Sequence, residues 1–460
     1  MKRIVCSGIM VFLFSLLFVT TTFAGIEGAD KGWQAGVARE KITPGEPMWM
    51  AGYAKRTHPA EGKIHDLWVK ALAIKDASGK WAVLVSSDLL GFPRYLSDRI
   101  FHAVKLKYGL SRSQLVLNSS HTHSGPVIVE SLADCYPLDS IQKKKVIDYS
   151  AELEDKIVAT IGKAIKSLKP AQIYSGVGVS RIQVNRMFNS ESDIMGLDEL
   201  RGPNNFSVPV LKVVGANRKL MAIVFSYACH ATVLDGYQWS GDYPGFAQLE
   251  LEKEHRGTVA MFFQGAGADQ NPLPRRSVAL ARQYGGELAC SVERVLEEEM
   301  TPLEPVLKAA YSEVELPFKD YPTEEELVQM VNELDSYQQR WAKRMLTIYR
   351  NDEPIMESYP LPLQALKLGN QLLLTMGGEP VIGYTNKFKK LFGQNTIVYG
   401  YSNDVMGYIP TAAVLEHGGY EGKSSQIAWG LPAAWNSNVE DLVVEAMTSL
   451  VKQIKSSDTK

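Results

Sequence analysis

The chain has 460 residues, of which 45% are hydrophobic and 22% charged, and its formal net charge is -2. A near-neutral chain without blocks of Lys or Arg lacks the basic surface that nucleic-acid binding requires, so we exclude nucleic acid as an expected partner. The length would allow two or three domains, but no linker-like stretch, low-complexity segment or repeat divides it, and we therefore expect one large domain.

The first 24 residues have the pattern of a secretory signal. Lys2 and Arg3 precede the apolar run IVCSGIMVFLFSLLFV, and Thr22-Phe23-Ala24 supplies the small residues that a signal peptidase requires. The run is too short for a membrane span. We therefore predict a signal peptide at residues 1–24 and a secreted or periplasmic mature chain, residues 25–460, without a stable membrane span.

Apolar runs of strand length recur along the mature chain, and each ends in residues that can bind a metal or carry a proton. The runs are WAVLVSS, QLVLNSS, LMAIVFSYAC, TVAMFFQGAGA, NQLLLTMGG and TIVYGYSN. The residues that follow them are, in the same order, Asp88, His121 with His123, His230, Asp269, Glu379 and Asp404.

The alternation of these runs with helix-period segments predicts the fold class. Continuous apolar runs indicate strands covered on both faces, and helical patterns occupy residues 148–168 and 277–298 between them. We expect an α/β fold of mixed α+β character, with a mixed sheet flanked by helices. Ligands bind at the carboxyl ends of the strands in open α/β sheets. The residues expected to meet at one such end are His121, His230, Asp269 and Glu379.

Residues 322–351 have the pattern of one long helix. Thr323 and Glu326 form a capping-box arrangement, and apolar residues follow at helical spacing. A stripe of aromatic and methionine side chains is more often a packing face than a cofactor site, so no chemistry is assigned to it. The helix is also a candidate wall of a substrate cleft.

Three sites together predict a metal centre, although each alone also fits a hydrogen-bonded core residue. His121 and His123, at positions i and i+2 of an extended segment, point to the same face. His230 interrupts an apolar strand, and Glu379 follows a strand and a Gly-Gly turn, where a carboxylate is costly to bury without a cation or donor. Nitrogen and oxygen ligands with an open position for water are typical of one catalytic Zn²⁺ ion.

Taken jointly, the motifs resemble the neutral ceramidase family, the neutral/alkaline non-lysosomal amidases that cleave N-acylsphingosines. The resemblance covers nearly the entire mature chain in the right order. Its segments are MAGYAKRTHPAEGKIHDLWVKALAI at 50–74, SSHTHSGP, VNRMF at 184–188, YACHAT at 227–232, FFQGAGADQNP at 262–272, GGEP at 377–380, GYIPT at 407–411 and GGYEG at 418–422. It implies the family's large mixed α/β catalytic domain and a place in sphingolipid metabolism.

The resemblance also implies roles for individual residues. The family's zinc ligands fall on His121, His230, Glu379 and Tyr408, all of the expected residue type. Its catalytic and substrate-contacting residues fall on His123, Arg186 and Tyr420. Tyr408 enters only in this way, because a tyrosine after a glycine is usually a packed or hydrogen-bonded aromatic.

The chain departs from the family's pattern in two places. Asn271 stands where the family has a serine tied to catalysis, and Asn is not a nucleophile. The general base is then Asp269 or His123, while Gln270 and Asn271 are expected to contact the substrate. Asp269 and Asn271 also fit a purely structural interpretation, in which they form a turn before a proline. The family's separate C-terminal β-sandwich domain is expected to be absent.

We therefore expect an exported zinc-dependent hydrolase of a small-molecule or lipid-like substrate, with an amide as the target bond. The alternatives are zinc-dependent hydrolysis of an ester, lactone or glycosidic bond, and a catalytically inactive binding protein on the same fold. The zinc chemistry itself does not require the missing serine, since a zinc-bound water supplies a nucleophile at neutral pH.

Overall fold

The computed structural model describes residues 32–196, 199–334 and 336–456. The signal peptide expected at residues 1–24 lies outside these residues. Within them, every helix is too short or too polar to cross a bilayer.

The described residues form strands and helices that are numbered here in chain order. The strands are β1 Trp33–Lys41, β2 Gly62–Lys63, β3 Trp68–Lys75, β4 Trp81–Ser87, β5 Leu115–Ser119, β6 Lys169–Val179, β7 Gln183–Asn185, β8 Ser207–Gly215, β9 Leu220–Tyr227, β10 Gln238–Trp239, β11 Val259–Gln264, β12 Gln270–Pro272, β13 Thr301–Pro302, β14 Leu307–Lys319, β15 Ser358–Leu368, β16 Gln371–Met376, β17 Glu379–Pro380, β18 Ile397–Tyr399, β19 Tyr408–Ile409 and β20 Ala434–Trp435. The α-helices are α1 Arg94–Tyr108, α2 Ser140–Lys166, α3 Glu191–Met195, α4 Asp242–Glu254, α5 Val278–Glu297, α6 Glu324–Glu333, α7 Tyr337–Arg350, α8 Ile382–Phe392, α9 Ala412–His417, α10 Ser425–Ala428 and α11 Val439–Ser456. A 3₁₀ turn spans Arg112–Gln114, and a π-helical turn spans Tyr420–Ser424.

Two mixed sheets carry the fold. The larger runs in the order β11-β9-β8-β6-β1-β3-β4-β5, with β13 paired to β6. Its outermost pairs, β11 with β9 and β4 with β5, are parallel, whereas the pairs between them are antiparallel. The smaller sheet runs β18-β16-β15-β14-β20 and also has one parallel pair, β18 with β16. The expected mixed α/β fold is confirmed.

The two sheets pack face to face, and helices cover the outer face of each. Leu84 and Val116 of the larger sheet share a buried cluster with Leu366 and Leu373 of the smaller one. Alternate residues of the same strands, such as Val83, face helices α1 and α2 instead. Helices α4 and α5 cover β8, β9 and β11, and α11 covers β14 and β15. Burial on both faces explains why these strands are continuous apolar runs in the sequence.

The strand ends converge because the larger sheet curls on itself. The strands β5 and β11 lie at opposite ends of its order, yet the Asn118 side chain joins them. Its Oδ1 accepts from the backbone N–H of Gln264 at 2.8 Å, and its Nδ2 donates to the carbonyl of Gly400 at 2.7 Å, just after β18. The segments that follow β5, β11 and β18 are thereby held together.

The prediction of a single long helix at residues 322–351 is wrong in one respect, because the structure has two helices there, α6 and α7. Leu334 is extended, with φ -107° and ψ 142°, and Ser336 caps the second helix by accepting from Gln338 N–H at 3.2 Å. The capping box of Thr323 and Glu326 starts α6 as expected. The stripe is a packing face, with Leu327, Trp341 and Met345 buried in one cluster.

Candidate metal centre

His121 follows β5 and turns back over the sheet edge. It has a φ of 57°, a left-handed conformation that is unfavourable for a side chain with a Cβ and that the surrounding structure must impose. Its Nδ1 lies 2.7 Å from the carbonyl oxygen of Leu90. Because a carbonyl only accepts, Nδ1 is the protonated nitrogen, and in the neutral ring Nε2 presents a lone pair to the site.

His230 and His123 bring two more imidazoles to the same point. His230 lies just beyond β9, completely buried, and its backbone N–H donates to the carbonyl of Gln270 at 3.0 Å. The Nε2 atoms of His123 and His121 lie 3.2 Å apart. One nitrogen from each of His121, His123 and His230 lies within 4.8 Å of the others, a geometry able to hold a metal ion.

Glu379 and Tyr408 are neighbours through backbone pairing. The short parallel strands β17 and β19 pair these two residues directly. Gly378, with φ +65°, makes the turn before β17, and a Cβ there would lie 2.6 Å from Ile409 Cγ1. The Oε2 atom of Glu379 lies 3.1 Å from His121 Nε2 and 3.2 Å from His230 Nε2. The hydroxyl of Tyr408 lies 3.3 Å from His230 Nε2.

The protonation states of these groups suit cation binding. Burial alone raises the pKa of Glu379, but the adjacent His121 and His230 hold it well below its usual range. Burial and the charge of Arg186 lower the pKa of His230 to about 3. An ionised carboxylate and a neutral imidazole are the forms in which Glu379 and His230 would bind a metal.

The donor set therefore fits a divalent cation. Ligand atoms about 2.0–2.2 Å from a tetrahedral zinc lie roughly 3.3–3.6 Å from one another. The contacts among His121, His230, Glu379 and Tyr408 are 3.1 to 3.3 Å, close to that range. Moreover, Glu379 Oε2 and the Nε2 atoms of His121 and His230 face one another at contact distance, and a cation bound between them would take a lone pair from each.

Arg186 and Tyr420 flank the cluster as expected. The guanidinium of Arg186 donates to Tyr408 Oη at 2.8 Å and to Glu421 Oε1 at 2.6 Å. The ring of Tyr420, which is 45% exposed, lies 5.4 Å from the ring of Tyr408, edge to face. Arg186 thus anchors Tyr408, while Tyr420 lies beside it, partly exposed.

The segment after β11 contributes mainly support. Asp269 is buried, and its two carboxylate oxygens accept from the Ile382 N–H at 2.7 Å and from Asn185 Nδ2 at 2.9 Å. Burial raises its pKa, against these hydrogen bonds. The side-chain amide of Gln270 donates to Pro203 at 3.2 Å, away from the cluster. Asp269, which was expected to meet the histidines, instead contacts Arg186 through its backbone carbonyl, at 2.8 Å.

Asn271 has a different environment from Asp269 and Gln270. Its Oδ1 lies 3.4 Å from both Arg186 Nη1 and Thr232 Oγ1. The residue lines an open cleft beside the metal cluster. Its position therefore allows contact with a bound substrate.

Two residues next to the cluster were not singled out in the sequence. Trp429 donates from Nε1 to Glu379 Oε1 at 2.9 Å, and Tyr401 packs its ring 4.5 Å from that of His121. Trp429 comes from a segment without a recognisable motif, and Tyr401 lies within the apolar run TIVYGYSN, where nothing distinguishes it from a packed aromatic. Only the tertiary structure identifies them as supports of the ligands.

Two cavities meet at the cluster. The smaller, of about 110 Å³, is lined by Leu90, Leu132, Ala428 and Trp429 as well as the site residues. The larger, of about 790 Å³, is an open polar cleft on the side of Arg186 and Asn271. Their shared lining consists of Gly52, His123, Tyr408 and Tyr420.

Comparison with known proteins agrees with this geometry. The sequence model described as "Neutral/alkaline non-lysosomal ceramidase, N-terminal" matches residues 33–273, more than half of the chain. The structure titled "Ceramidase complexed with C2" superposes with a TM-score of 0.70 at 19% identity, over 92% of this chain and 76% of the other. The crystal structure of neutral ceramidase from Pseudomonas aeruginosa gives 0.68 at 20% identity, over 91% and 75%. At these identities the two structures establish the fold. A search of curated proteins found no match.

Proposed function

The chain belongs to the neutral/alkaline non-lysosomal ceramidase family, whose members are hydrolases, and from this premise we propose that it is a zinc-dependent amidase acting on an N-acylated substrate. The observation that carries the proposal is the convergence of His121, His230, Glu379 and Tyr408 from four separate segments. Their donor atoms are spaced as the ligands of one small divalent cation are.

The contacts of each site residue are the basis for the role that we assign to it. His121, His230, Glu379 and Tyr408 hold the ion, which when bound polarises the substrate carbonyl and acidifies a water molecule. His123 faces the same point, and its Nδ1 has no hydrogen-bond partner among the described residues, so its ring is free to accept and return a proton. We assign the base to His123 in preference to Asp269, because both carboxylate oxygens of Asp269 already accept hydrogen bonds.

The remaining site residues support the reacting groups. Arg186 fixes the Tyr408 hydroxyl, and its charge favours negative charge developing on a neighbouring oxygen. Tyr420, which lines both cavities, donates from its hydroxyl to that oxygen. Asn271 holds a polar group of the substrate, and Gln270 acts through its backbone carbonyl, which accepts from His230 N–H.

The wider setting is also part of the proposal. We assign residues 1–24 to a signal peptide and residues 25–460 to one catalytic domain, which makes the enzyme secreted or periplasmic. The names of the similar structures favour a small-molecule or lipid-like substrate of the ceramide kind, within sphingolipid metabolism. The relevant structural support is that the site opens into cavities that can admit an N-acyl compound.

A second candidate is favoured by Asn271, which stands in place of the family's serine. Without that hydroxyl, the same ion and the same residues can direct hydrolysis of an ester, lactone or glycosidic bond, or serve only to bind a ligand. A screen of chromogenic amides, esters and glycosides separates these cases. Turnover of glycosides alone, or binding without turnover in any class, would replace the amidase assignment.

The metal is tested by elemental analysis of the purified mature protein and its variants. We expect one equivalent of zinc in the parent and substoichiometric metal in His230→Ala, Glu379→Gln and Tyr408→Phe. The controls are His255→Ala and Glu293→Gln, because these residues form a similar His–Glu contact at 2.9 Å on the surface, away from the cluster. A parent without bound metal, or ligand variants that retain it, would contradict the proposal.

A further inference from the structure

The two cavities divide any substrate into two unlike halves. They share Gly52, His123, Tyr408 and Tyr420, so the point where they meet is the metal cluster itself. A carbonyl placed there for hydrolysis sends one substituent into the smaller cavity and the other into the larger cleft. The size and polarity of each cavity then constrain the substituent it receives.

The smaller cavity is short. Besides the residues of the metal cluster, its lining includes the apolar side chains of Leu90, Leu132 and Ala428 and the ring of Trp429, and among the described residues its one carboxylate is the ligand Glu379. Its volume of about 110 Å³ is below the roughly 150 Å³ of an apolar cavity that holds one benzene molecule. This space suits the acyl half of an N-acyl substrate and limits it to a few carbons.

The larger cleft is lined by charged side chains, three arginines together with Glu191 and Glu421. Of the three arginines that line it, Arg186 donates to Glu421 and Arg276 to Asp235. Arg275 differs from both. Its Nε forms a long ion pair with Glu191 Oε1, at 3.7 Å and beyond hydrogen-bond distance, and this buried Nε has no hydrogen-bond partner among the residues that the structure describes.

Arg275 is close enough to the cluster to contact a substrate that is bound there. Tyr53 connects the two places, since its ring lies 4.8 Å from that of His123. Tyr53 and Arg275 also line the same cleft. A planar guanidinium with free N–H groups is suited to bind a carboxylate through two hydrogen bonds.

We infer that the substrate is a short-chain N-acylated amine whose amine half carries an anionic group, with the acyl group beside Leu132 and Trp429 and the anion paired with Arg275. The inference rests on the proposed amide hydrolysis and gives that reaction a substrate class. It keeps the amide bond but replaces the ceramide-like substrate that the names of the similar structures favour, since a polar compound of the N-acyl amino-acid type is then a better substrate than an uncharged amide with a long acyl chain.

The acyl half is tested with a chain-length series from acetyl to palmitoyl on one ω-amino acid, with release of the free amine as the measurement. We expect kcat/KM to be highest for the shortest members and to fall at least about tenfold once the chain exceeds the cavity. Equal or better turnover of palmitoyl compounds would overturn the acyl assignment and leave amide hydrolysis itself intact.

The anionic half is tested with matched pairs of N-acetyl ω-amino acids and their uncharged primary amides, over several linker lengths. The parent should prefer the carboxylate, and Arg275→Ala should reduce the ratio of the two kcat/KM values by about tenfold or more, the usual effect of losing a hydrogen bond to a charged group. Arg275→Lys should recover part of it. The control is Arg276→Ala, whose side chain is already paired with Asp235.

Failure of the inference and failure of the proposed function give different results. If the parent hydrolyses amides without preference for the carboxylate, the function stands and the inference is overturned. If it hydrolyses none, calorimetric titration of the zinc-loaded protein with the same pairs still decides the inference. Tighter binding of the carboxylate that is lost in Arg275→Ala supports it, and equal or undetectable binding of both compounds overturns it.

Discussion

Glu379 keeps its charge at a position where only 2% of its surface is exposed, and each of its oxygens has an assigned neighbour. Oε2 faces the two imidazoles, and Oε1 accepts from Trp429. At the residue scale, the site therefore depends on partners that orient the ligands as much as on the ligands themselves. The hydrogen bond from His121 to the Leu90 carbonyl has the same function, since it selects the tautomer.

Replacing Trp429 by Phe removes the donor to Glu379 Oε1 and keeps most of the aromatic packing. We expect zinc affinity, measured by competition with a chromogenic chelator, to fall by about 10–100-fold, as is usual when the orienting partner of a ligand is lost. Trp81→Phe, at the start of β4 and remote from the site, is the matched control. Unchanged affinity in Trp429→Phe would show that Glu379 is oriented without this hydrogen bond.

Asp404 predicts a pH dependence of stability away from the metal. Burial raises its pKa to about 7, against the charge of Arg94 and the hydrogen bond from Tyr359. An unfolded-chain Asp titrates near about 3.9. Between these values the folded state retains a proton that the unfolded state has lost, so this contribution to stability is present at low pH and is lost as pH rises.

The variant Asp404→Asn cannot titrate and should therefore gain free energy of unfolding relative to the parent as pH rises from about 4 to about 7. Urea unfolding of both proteins across this range measures the difference. The exposed Asp148, replaced by Asn, serves as the control and should show no such trend. A constant difference between Asp404→Asn and the parent would mean that the carboxyl is ionised throughout.

At the scale of elements, short and irregular segments place the reacting groups on a rigid frame. The strands β17 and β19 are two residues each, yet they set Glu379 against Tyr408. The loop after β1 brings Gly52 against the face of His123, with φ +100°, where a Cβ would lie 2.5 Å from the imidazole Cγ. Close backbone approach of this kind requires glycine.

The variant Gly52→Ala should displace His123 and lower kcat by about a hundredfold, since a shift of about 1 Å in a catalytic group has that effect. Metal content should persist, because His123 is outside the proposed ligand set. Gly79→Ala is the matched control: it has a similar φ of +86° but only Lys75 Cε within reach, at 3.8 Å. Equal losses of activity in both variants would attribute the effect to backbone strain alone.

At the scale of the whole molecule, the cluster joins parts that are distant in the chain. His121 follows β5 and His230 follows β9 of the larger sheet, whereas Glu379 and Tyr408 come from segments next to the smaller one. An ion bound by all four residues cross-links the two sheets. Binding of the ion is therefore coupled to global stability.

Chelation should lower the melting temperature by a few degrees, and added zinc should restore it. A ligand at 100 times its dissociation constant stabilises the folded state by about 2.7 kcal/mol. Calorimetric melting with and without chelator provides the measurement. Glu379→Gln, which removes a ligand charge, should melt at the same temperature in both conditions. A chelator-insensitive parent would show that the cluster does not bind metal tightly.

The strand ends illustrate how far local patterns predict this site. The runs before His121, His230 and Glu379 show burial on both faces, and the rule for strand ends then predicts where the polar residues gather. Asp269 lies at this sheet end too, since the adjacent Gln270 carbonyl accepts from His230 N–H, but its side chain turns to Ile382 and Asn185, which strand order does not predict. The helix break near Leu334 was missed since its apolar spacing continues across the break.

The sequence by itself determined the mixed α/β class, the strand ends that carry His121, His230 and Glu379, and the family resemblance that added Tyr408 and Arg186. These properties are local, because burial and turn chemistry leave their pattern in adjacent residues. Only the tertiary structure decided that Trp429 holds Glu379 and that, among the described residues, Arg275 is held by a long ion pair with Glu191. Those facts arise from contacts between residues far apart in the chain, and no spacing within one segment encodes them.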